Sequence, residues 1–67
     1  MLEGTKVNLN KADKSELAIV EGIGEATAES IIKYREEHGG FRNFQELRNI
    51  PNIDEEARKL IQEQTEL

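Results

Sequence analysis

The sequence has no cysteine, a single histidine and no long run of apolar residues. Without cysteine the chain can form neither disulfide bonds nor thiolate metal sites. His38 has no partner histidine, so we expect no metal site and no cofactor. The absence of a long apolar run excludes a membrane span within these residues. At 67 residues the chain is one domain, close to the smallest size that supports its own core.

Positive charge is also scarce. Nine lysine and arginine residues stand against fourteen acidic ones, which gives a formal net charge of −5. Domains that bind nucleic acid by electrostatic attraction usually carry a basic face. Any contact with DNA must therefore rely on backbone amides more than on a cationic surface.

The first third of the chain predicts a short extended arm followed by a helix. Apolar and polar residues alternate over Val7–Asn10, which predicts an extended segment with Val7 and Leu9 facing inward. Asp13 followed by Glu16 is a capping-box pattern, so Asp13 is the predicted N-cap of a first helix.

The remaining residues predict three more helices. A second helix runs from about Glu25 to His38 and ends at the Gly39–Gly40 pair, where either glycine can take the left-handed C-cap conformation. Asn43 and Glu46 repeat the capping-box spacing and predict a third helix over about 44–48. Asp54 is placed to cap a last helix that contains Leu60 and Ile61. No segment indicates an internal strand, so the predicted fold is all-α.

An internal repeat of 30 residues supports this organisation. Sliding the sequence by 30 places residues 16–31 over residues 46–61, with Gly22-Ile23-Gly24 over Asn52-Ile53-Asp54. The identical pairs are Glu16/Glu46, Leu17/Leu47, Ile23/Ile53, Glu25/Glu55 and Ile31/Ile61. We expect two helix–turn–helix units that pack about a pseudo-two-fold axis, because neither can bury its apolar face alone.

The turn between the first two helices is the candidate functional feature. Gly22 and Gly24 allow backbone dihedrals that a side chain would forbid, and they let another backbone approach closely. The helix that follows begins with amides that lack partners inside the helix, and its dipole adds partial positive charge there. Such a corner can hold a phosphate oxygen without a basic side chain.

These motifs together resemble a known family. The matching segments are Val7-Asn8-Leu9-Asn10-Lys11-Ala12, Val20-Glu21-Gly22-Ile23-Gly24, Ala28, Ile31-Ile32, Tyr34-Arg35, Gly40-Phe41, Phe44, Leu47, Ile50 and Ile53. In this order they resemble the helix-hairpin-helix domain of ComEA-type competence proteins, over about residues 6–64. The resemblance implies a tandem helix-hairpin-helix (SAM-like) fold of four to five short helices with a short extended N-terminal arm. It leaves 1–5 as a flexible N-terminus or expression remnant and 65–67 as a C-terminal tail.

The resemblance also implies a function and a site. It implies sequence-independent binding of double-stranded DNA, as in DNA uptake by competent bacteria. The implied DNA-binding residues are Gly22, Ile23, Gly24, Glu25, Ala26 and Thr27. Thr27 stands where this family often has lysine, so a charge is missing although its hydroxyl can donate a hydrogen bond. Hairpins of this class sometimes hold a monovalent cation, here on the carbonyls of Ala18, Val20 and Ile23.

The second turn departs from the family pattern. Where the family usually has Gly-Ile-Gly, this chain has Asn52-Ile53-Asp54, followed by Glu55 and Glu56. Asn52 tolerates a left-handed conformation, so the turn can still form. Three carboxylates at the start of a helix compete for its amides and repel phosphate. We expect this turn to support the fold and to bind DNA poorly.

Two functions remain open from the sequence, and an enzyme is not one of them. The chain lacks a nucleophile with a histidine–acid partner and lacks paired carboxylates. The first hypothesis is a non-catalytic module for double-stranded DNA, with no small-molecule substrate. The alternative is a protein–protein adaptor or structural module, alone or within a larger parent protein. The compartment is open, and would be extracytoplasmic and membrane-associated if the chain is part of a competence receptor.

Overall fold

The computed structural model describes residues 6–67, so the predicted flexible segment 1–5 lies outside the described residues. The elements in chain order are β1 (Val7–Asn8), α1 (Lys14–Ala18), α2 (Gly24–His38), a 3₁₀ helix (Phe44–Asn49), α3 (Glu55–Gln64) and β2 (Thr65–Glu66). The prediction of an all-α fold built from four short helices is confirmed. None of the helices in this part of the chain has the length and apolar character needed to cross a bilayer.

The caps of α1 and α2 lie where the sequence predicts them. At the start of α1, Asp13 accepts a hydrogen bond from the Glu16 amide at 2.9 Å, and the Glu16 carboxylate accepts one from the Asp13 amide at 3.1 Å. The last turn of α2 ends at Gly39, whose φ of +76° is left-handed. The prediction of a capping box and of a glycine C-cap is therefore confirmed.

The third helix differs from its prediction. It is a 3₁₀ helix, and the side chain of Asn43 makes no capping hydrogen bond. The carboxylate of Glu46 accepts hydrogen bonds from the Arg42 amide at 2.8 Å and from the Tyr34 hydroxyl at 2.9 Å. The predicted capping box is incomplete because the Glu46 amide donates to the Asn43 carbonyl at 3.3 Å and not to the Asn43 side chain.

The two ends of the described chain pair with each other. β1 and β2 form a parallel ribbon in which Val7 lies opposite Thr65 and Asn8 opposite Glu66. The Leu9 amide extends the pairing by donating to the Glu66 carbonyl at 2.8 Å. Residues 65–67, expected to form a tail, contain β2, and Thr65 is buried. The alternation over Val7–Asn10 predicts that this segment is extended, but no local pattern reveals its pairing with residues 65–66.

The core draws on both repeats. Its buried apolar residues are Leu9, Ala12, Leu17, Val20, Ile23, Ala28, Ile31, Phe41, Leu47, Ile50 and Ile61. Burying one large aliphatic side chain contributes about 1.5–3 kcal/mol. Because the residues of the two repeats form one cluster, each repeat needs the other to bury its apolar face.

Candidate nucleic-acid interface

The first turn connects α1 to α2 through two left-handed glycines. Gly22 has a φ of +96° and Gly24 a φ of +71°, and the amide of Ile23 donates to the Val20 carbonyl at 3.0 Å. A side chain at either glycine would be strained at these dihedrals. A Cβ at Gly24 would have no atom within 4 Å, so this position faces open space. The backbone of Gly24 is thus open to close approach by a ligand.

The helix that begins at this turn has no side-chain cap. Ile23 precedes α2 and makes no side-chain capping bond, and Gly24 has no side chain to supply one. The first amides of a helix have no partner within it, and the dipole of the 15-residue α2 adds partial positive charge there. Gly24, Glu25 and Ala26 are all exposed. These amides can therefore donate to an anion in solvent.

Two of the six predicted site residues, Ile23 and Thr27, are buried. Ile23 is buried in the core, and its amide is already bonded to the Val20 carbonyl, so it anchors the turn. Thr27 is only 5% exposed, which withdraws its hydroxyl from a ligand in solvent. The structure thus brings Gly22, Gly24, Glu25 and Ala26 together at the surface, with Ile23 and Thr27 beneath them.

The second turn shares one left-handed position with the first turn and has a different chemistry. Asn52 holds a left-handed φ of +74°, in the place of Gly22. Asp54, in the place of Gly24, has an extended backbone and its carboxylate accepts the Ala57 amide at 2.8 Å. An amide at the start of α3 is therefore occupied by the chain's own carboxylate. Glu55 and Glu56 stand exposed beside it.

Basic and acidic side chains lie together beside the second turn. A groove of about 320 Å³ beside the second turn is lined by Arg48, Ile53, Asp54, Glu55 and Arg58. Within it Arg58 lies 3.8 Å from the Glu55 carboxylate. This pairing offsets the charge of one of the two arginines that line the groove.

An ion pair also joins α1 to α2. Lys14 donates to Glu29 at 2.6 Å. This hydrogen bond raises the pKa of Lys14 and lowers the pKa of Glu29. The charge of Lys14 is therefore directed at a neighbouring helix.

The predicted cation site consists of three backbone carbonyls in and next to the first turn. Of the three carbonyls proposed to hold a monovalent ion, that of Val20 already accepts the amide of Ile23 at 3.0 Å. A carbonyl oxygen has two lone pairs, so one remains for a cation. The site on Ala18, Val20 and Ile23 stays a prediction.

Sequence analysis missed two side chains that hydrogen-bond to the backbone of distant connecting segments. The amide group of Gln64, at the end of α3, bonds to the backbone of Glu21 in the first turn. The side chain of Asn10 bonds to both the amide and the carbonyl of Phe41, at 2.6 and 3.1 Å. These contacts span 43 and 31 residues, and no local pattern signals them.

Comparison with known families agrees with this geometry. The family of the helix-hairpin-helix motif matches residues 3–65 of the chain. The chain belongs to the helix-hairpin-helix family. Its two helix–turn–helix units, related by the 30-residue repeat, are the tandem hairpins that the sequence predicts.

Curated relatives of this helix-hairpin-helix domain come from different kinds of protein. ComE operon protein 1 of Bacillus subtilis is 38% identical over 55 residues, which cover 82% of this chain and 27% of that protein. An uncharacterized protein of Haemophilus influenzae is 43% identical over 49 residues, covering 72% of this chain and 44% of the relative. Endonuclease/exonuclease/phosphatase family domain-containing protein 1 of Rattus norvegicus is 41% identical over 49 residues, covering 73% and 9%. The chain thus spans less than half the length of each of these relatives.

Proposed function

We propose that this helix-hairpin-helix domain is a non-catalytic module that binds nucleic acid, and specifically double-stranded DNA without regard to sequence. The observation that carries the proposal is the uncapped start of α2 beside the open backbone of Gly24. The family match and the relative named after the ComE operon support a role in nucleic-acid binding. A place in DNA uptake, as in ComEA-type proteins, is the finer part of the proposal.

The proposed contact is between a DNA phosphate and the backbone amides of Gly24, Glu25 and Ala26. These amides and the helix dipole favour a negative oxygen, and none of them distinguishes one base from another. Few phosphates can be engaged by one turn, and the chain is acidic overall. We therefore expect weak, salt-sensitive binding with a Kd on the order of 10⁻⁴ to 10⁻⁶ M.

No catalytic step belongs to this proposal. The relatives with endonuclease in their name align with this domain over only 9% of their length. Their similarity therefore concerns the helix-hairpin-helix region and carries no reaction to this chain. Any larger parent protein, and the compartment in which it acts, would be defined by parts outside this sequence.

A second function is favoured by the acidic second turn and by one exposed side chain. Ile19, at the end of α1, is 81% exposed, and Asp54, Glu55 and Glu56 give the start of α3 a negative surface. A protein partner could use both features, which would make the domain an adaptor. Binding to phosphate falls steeply with salt, whereas an apolar contact at Ile19 does not, so binding that persists at high salt would favour the adaptor.

The test is an NMR titration of isotope-labelled protein with a short DNA duplex, at low and then moderate salt. We expect shifts at the amides of Gly24, Glu25 and Ala26 that fade as salt is added. The variant Gly24→Asp places a carboxylate at the start of α2 and should abolish them. Gly24→Asn is the matched control, because it has the same size and backbone strain without the charge.

Two results would overturn the DNA proposal. In the first, these amides do not shift at low salt in the unmodified protein. In the second, Gly24→Asp binds the duplex as tightly as the unmodified protein while it remains folded. Either result would favour the adaptor, and the search would turn to a protein partner.

A further inference from the structure

The last residue of α3 reaches the first turn. The side-chain carbonyl of Gln64 accepts a hydrogen bond from the Glu21 amide at 3.3 Å, and its amino group donates to the Glu21 carbonyl at 3.1 Å. The same amino group donates to the Leu60 carbonyl at 2.9 Å, which fixes the side chain against its own helix. Both backbone groups of one turn residue are thus held by a single side chain.

The neighbouring glycine rests on the same helix. A Cβ at Gly22 would lie 3.4 Å from the Ala57 carbonyl and 3.4 Å from the Cβ of Leu60. Gly22 therefore lies at van der Waals contact with α3, and its left-handed φ of +96° favours glycine at this position. Together with the hydrogen bonds from Gln64, this contact holds the Glu21–Gly22 backbone against α3.

The second turn has no equivalent hydrogen bonds to the opposite repeat among the described residues. Sliding the chain by 30 places Tyr34 of α2 where Gln64 stands in α3. The Tyr34 hydroxyl bonds to the side chains of Glu46 and Asn49, at 2.9 and 3.3 Å. An open groove of about 260 Å³ remains between α2 and Asn49–Pro51, with Tyr34 among its lining residues. Among residues 6–67, the first turn therefore has backbone hydrogen bonds to the opposite repeat, and the second turn has none.

We infer that Gln64 is a positioning residue that preorganises the first turn for phosphate. This inference rests on the proposed function. A turn with two left-handed glycines has more conformational freedom than most, and ordering it on binding costs free energy. Gln64 and the Gly22 contact order the turn in the free protein. The amides of Gly24, Glu25 and Ala26 are therefore oriented before phosphate binds. The second repeat then acts as the support for a contact made by the first.

The test compares Gln64→Met with Gln62→Met. Methionine keeps the length and packing of glutamine and removes its hydrogen bonds, and Gln62 is an exposed position on the same helix. Amide hydrogen exchange is measured for both variants and for the unmodified protein, together with the Kd for a short DNA duplex at several salt concentrations. Thermal unfolding shows whether each variant is folded.

Gln64→Met is expected to speed exchange at Glu21 and Ile23, while the core amides of α2 keep their protection. Its Kd should rise about three- to tenfold, as the loss of one or two hydrogen bonds predicts. The slope of log Kd against log salt should stay the same, because the number of phosphates contacted is unchanged. A merely structural role would lower the unfolding temperature and speed exchange throughout. Gln62→Met should match the unmodified protein.

Three results would contradict this assignment. Unchanged exchange at Glu21 and Ile23 would show that Gln64 does not hold the turn. Faster exchange with an unchanged Kd would show that holding the turn does not matter for binding. Protection lost throughout the fold would make Gln64 a stability residue only. Failure of the unmodified protein to bind DNA would instead overturn the proposed function, and the exchange rates would still decide whether Gln64 restrains the turn.

Discussion

Gly22 in the first turn and Asn52 in the second hold similar left-handed dihedrals, with φ of +96° and +74°. The two turns differ two residues later, at Gly24 and Asp54. Gly24 opens α2 without a side chain, whereas Asp54 occupies the Ala57 amide at the start of α3 with its own carboxylate. One repeat thus leaves the helix-start amides open to an external anion, and the other occupies one of them with its own side chain.

This comparison shows how a duplicated motif can divide its tasks. A self-capped helix is more stable, because a side-chain cap contributes about 1 kcal/mol. An uncapped helix start gives up that stability and gains a place where phosphate can bind. In this chain α3 takes the stable form and supports the first turn through Gln64 and Gly22, as the hydrogen bonds to Glu21 show.

The largest effect should follow from replacing the glycine that rests on α3. Gly22→Val places a β-branched side chain at a left-handed dihedral and against the Ala57 carbonyl. We expect the free energy of unfolding to fall by about 2 kcal/mol or more, measured by urea denaturation. Asn52→Val is the matched change in the second turn, at a φ of +74°, and should cost less because this position already holds an exposed side chain. Equal losses at the two positions would contradict the different packing of the turns.

Removing the cap of α3 should have the next largest effect. Asp54→Ala frees the Ala57 amide, and we expect the free energy of unfolding to fall by about 1 kcal/mol. Asp54→Asn keeps a capping oxygen and should stay within a few tenths of a kcal/mol of the unmodified protein. Urea denaturation checks both. If Asp54→Ala is as stable as Asp54→Asn, the carboxylate does not cap α3 in solution.

Much of this contrast between the turns is visible in the sequence. The glycines, Asn52 and the caps Asp13 and Asp54 each act on neighbouring backbone, so residue type alone predicts their local structure. The all-α fold follows from these local signals and from the repeat. The prediction that the second turn is acidic and structural rests on the same kind of local reasoning.

The rest depends on contacts between distant residues. Gln64 can bond to Glu21 only when α3 has packed against the first turn. Glu46 can accept the hydrogen bond from Tyr34 only when α2 lies beside the 3₁₀ helix. The pairing of β1 with β2 likewise needs both ends of the domain in place. The burial of Thr27, which removes a predicted donor, is also set by packing. Local patterns carry no information on such contacts.

A smaller effect should come from neutralising the exposed acids beside the second turn. Glu55→Gln combined with Glu56→Gln removes two negative charges from the start of α3, and we expect DNA affinity to rise about threefold at low salt. Glu36→Gln combined with Glu37→Gln removes the same charge near the far end of α2. NMR titration with a DNA duplex measures both. Equal gains would mean that the second turn stays away from the DNA and only net charge matters.

The smallest effect concerns Glu46, which bonds to the residue that takes the place of Gln64 in the first repeat. Hydrogen bonds from the Arg42 amide and then from the Tyr34 hydroxyl lower the pKa of Glu46. Folding therefore favours the ionised carboxylate, and this contribution to stability is present above the ordinary pKa of glutamate. It is lost as the pH falls through the lowered value.

Glu46→Gln should accordingly lower the unfolding temperature most near neutral pH. The difference from the unmodified protein should shrink as the pH is lowered to about 3, because the natural carboxylate is then protonated as well. Glu36→Gln, at an exposed position on α2, controls for the loss of one acid. A difference that stays constant with pH would mean that the Tyr34–Glu46 contact does not depend on charge. No difference at any pH would mean that packing alone joins the two repeats on this side, in contrast to the hydrogen bonds between Gln64 and the first turn.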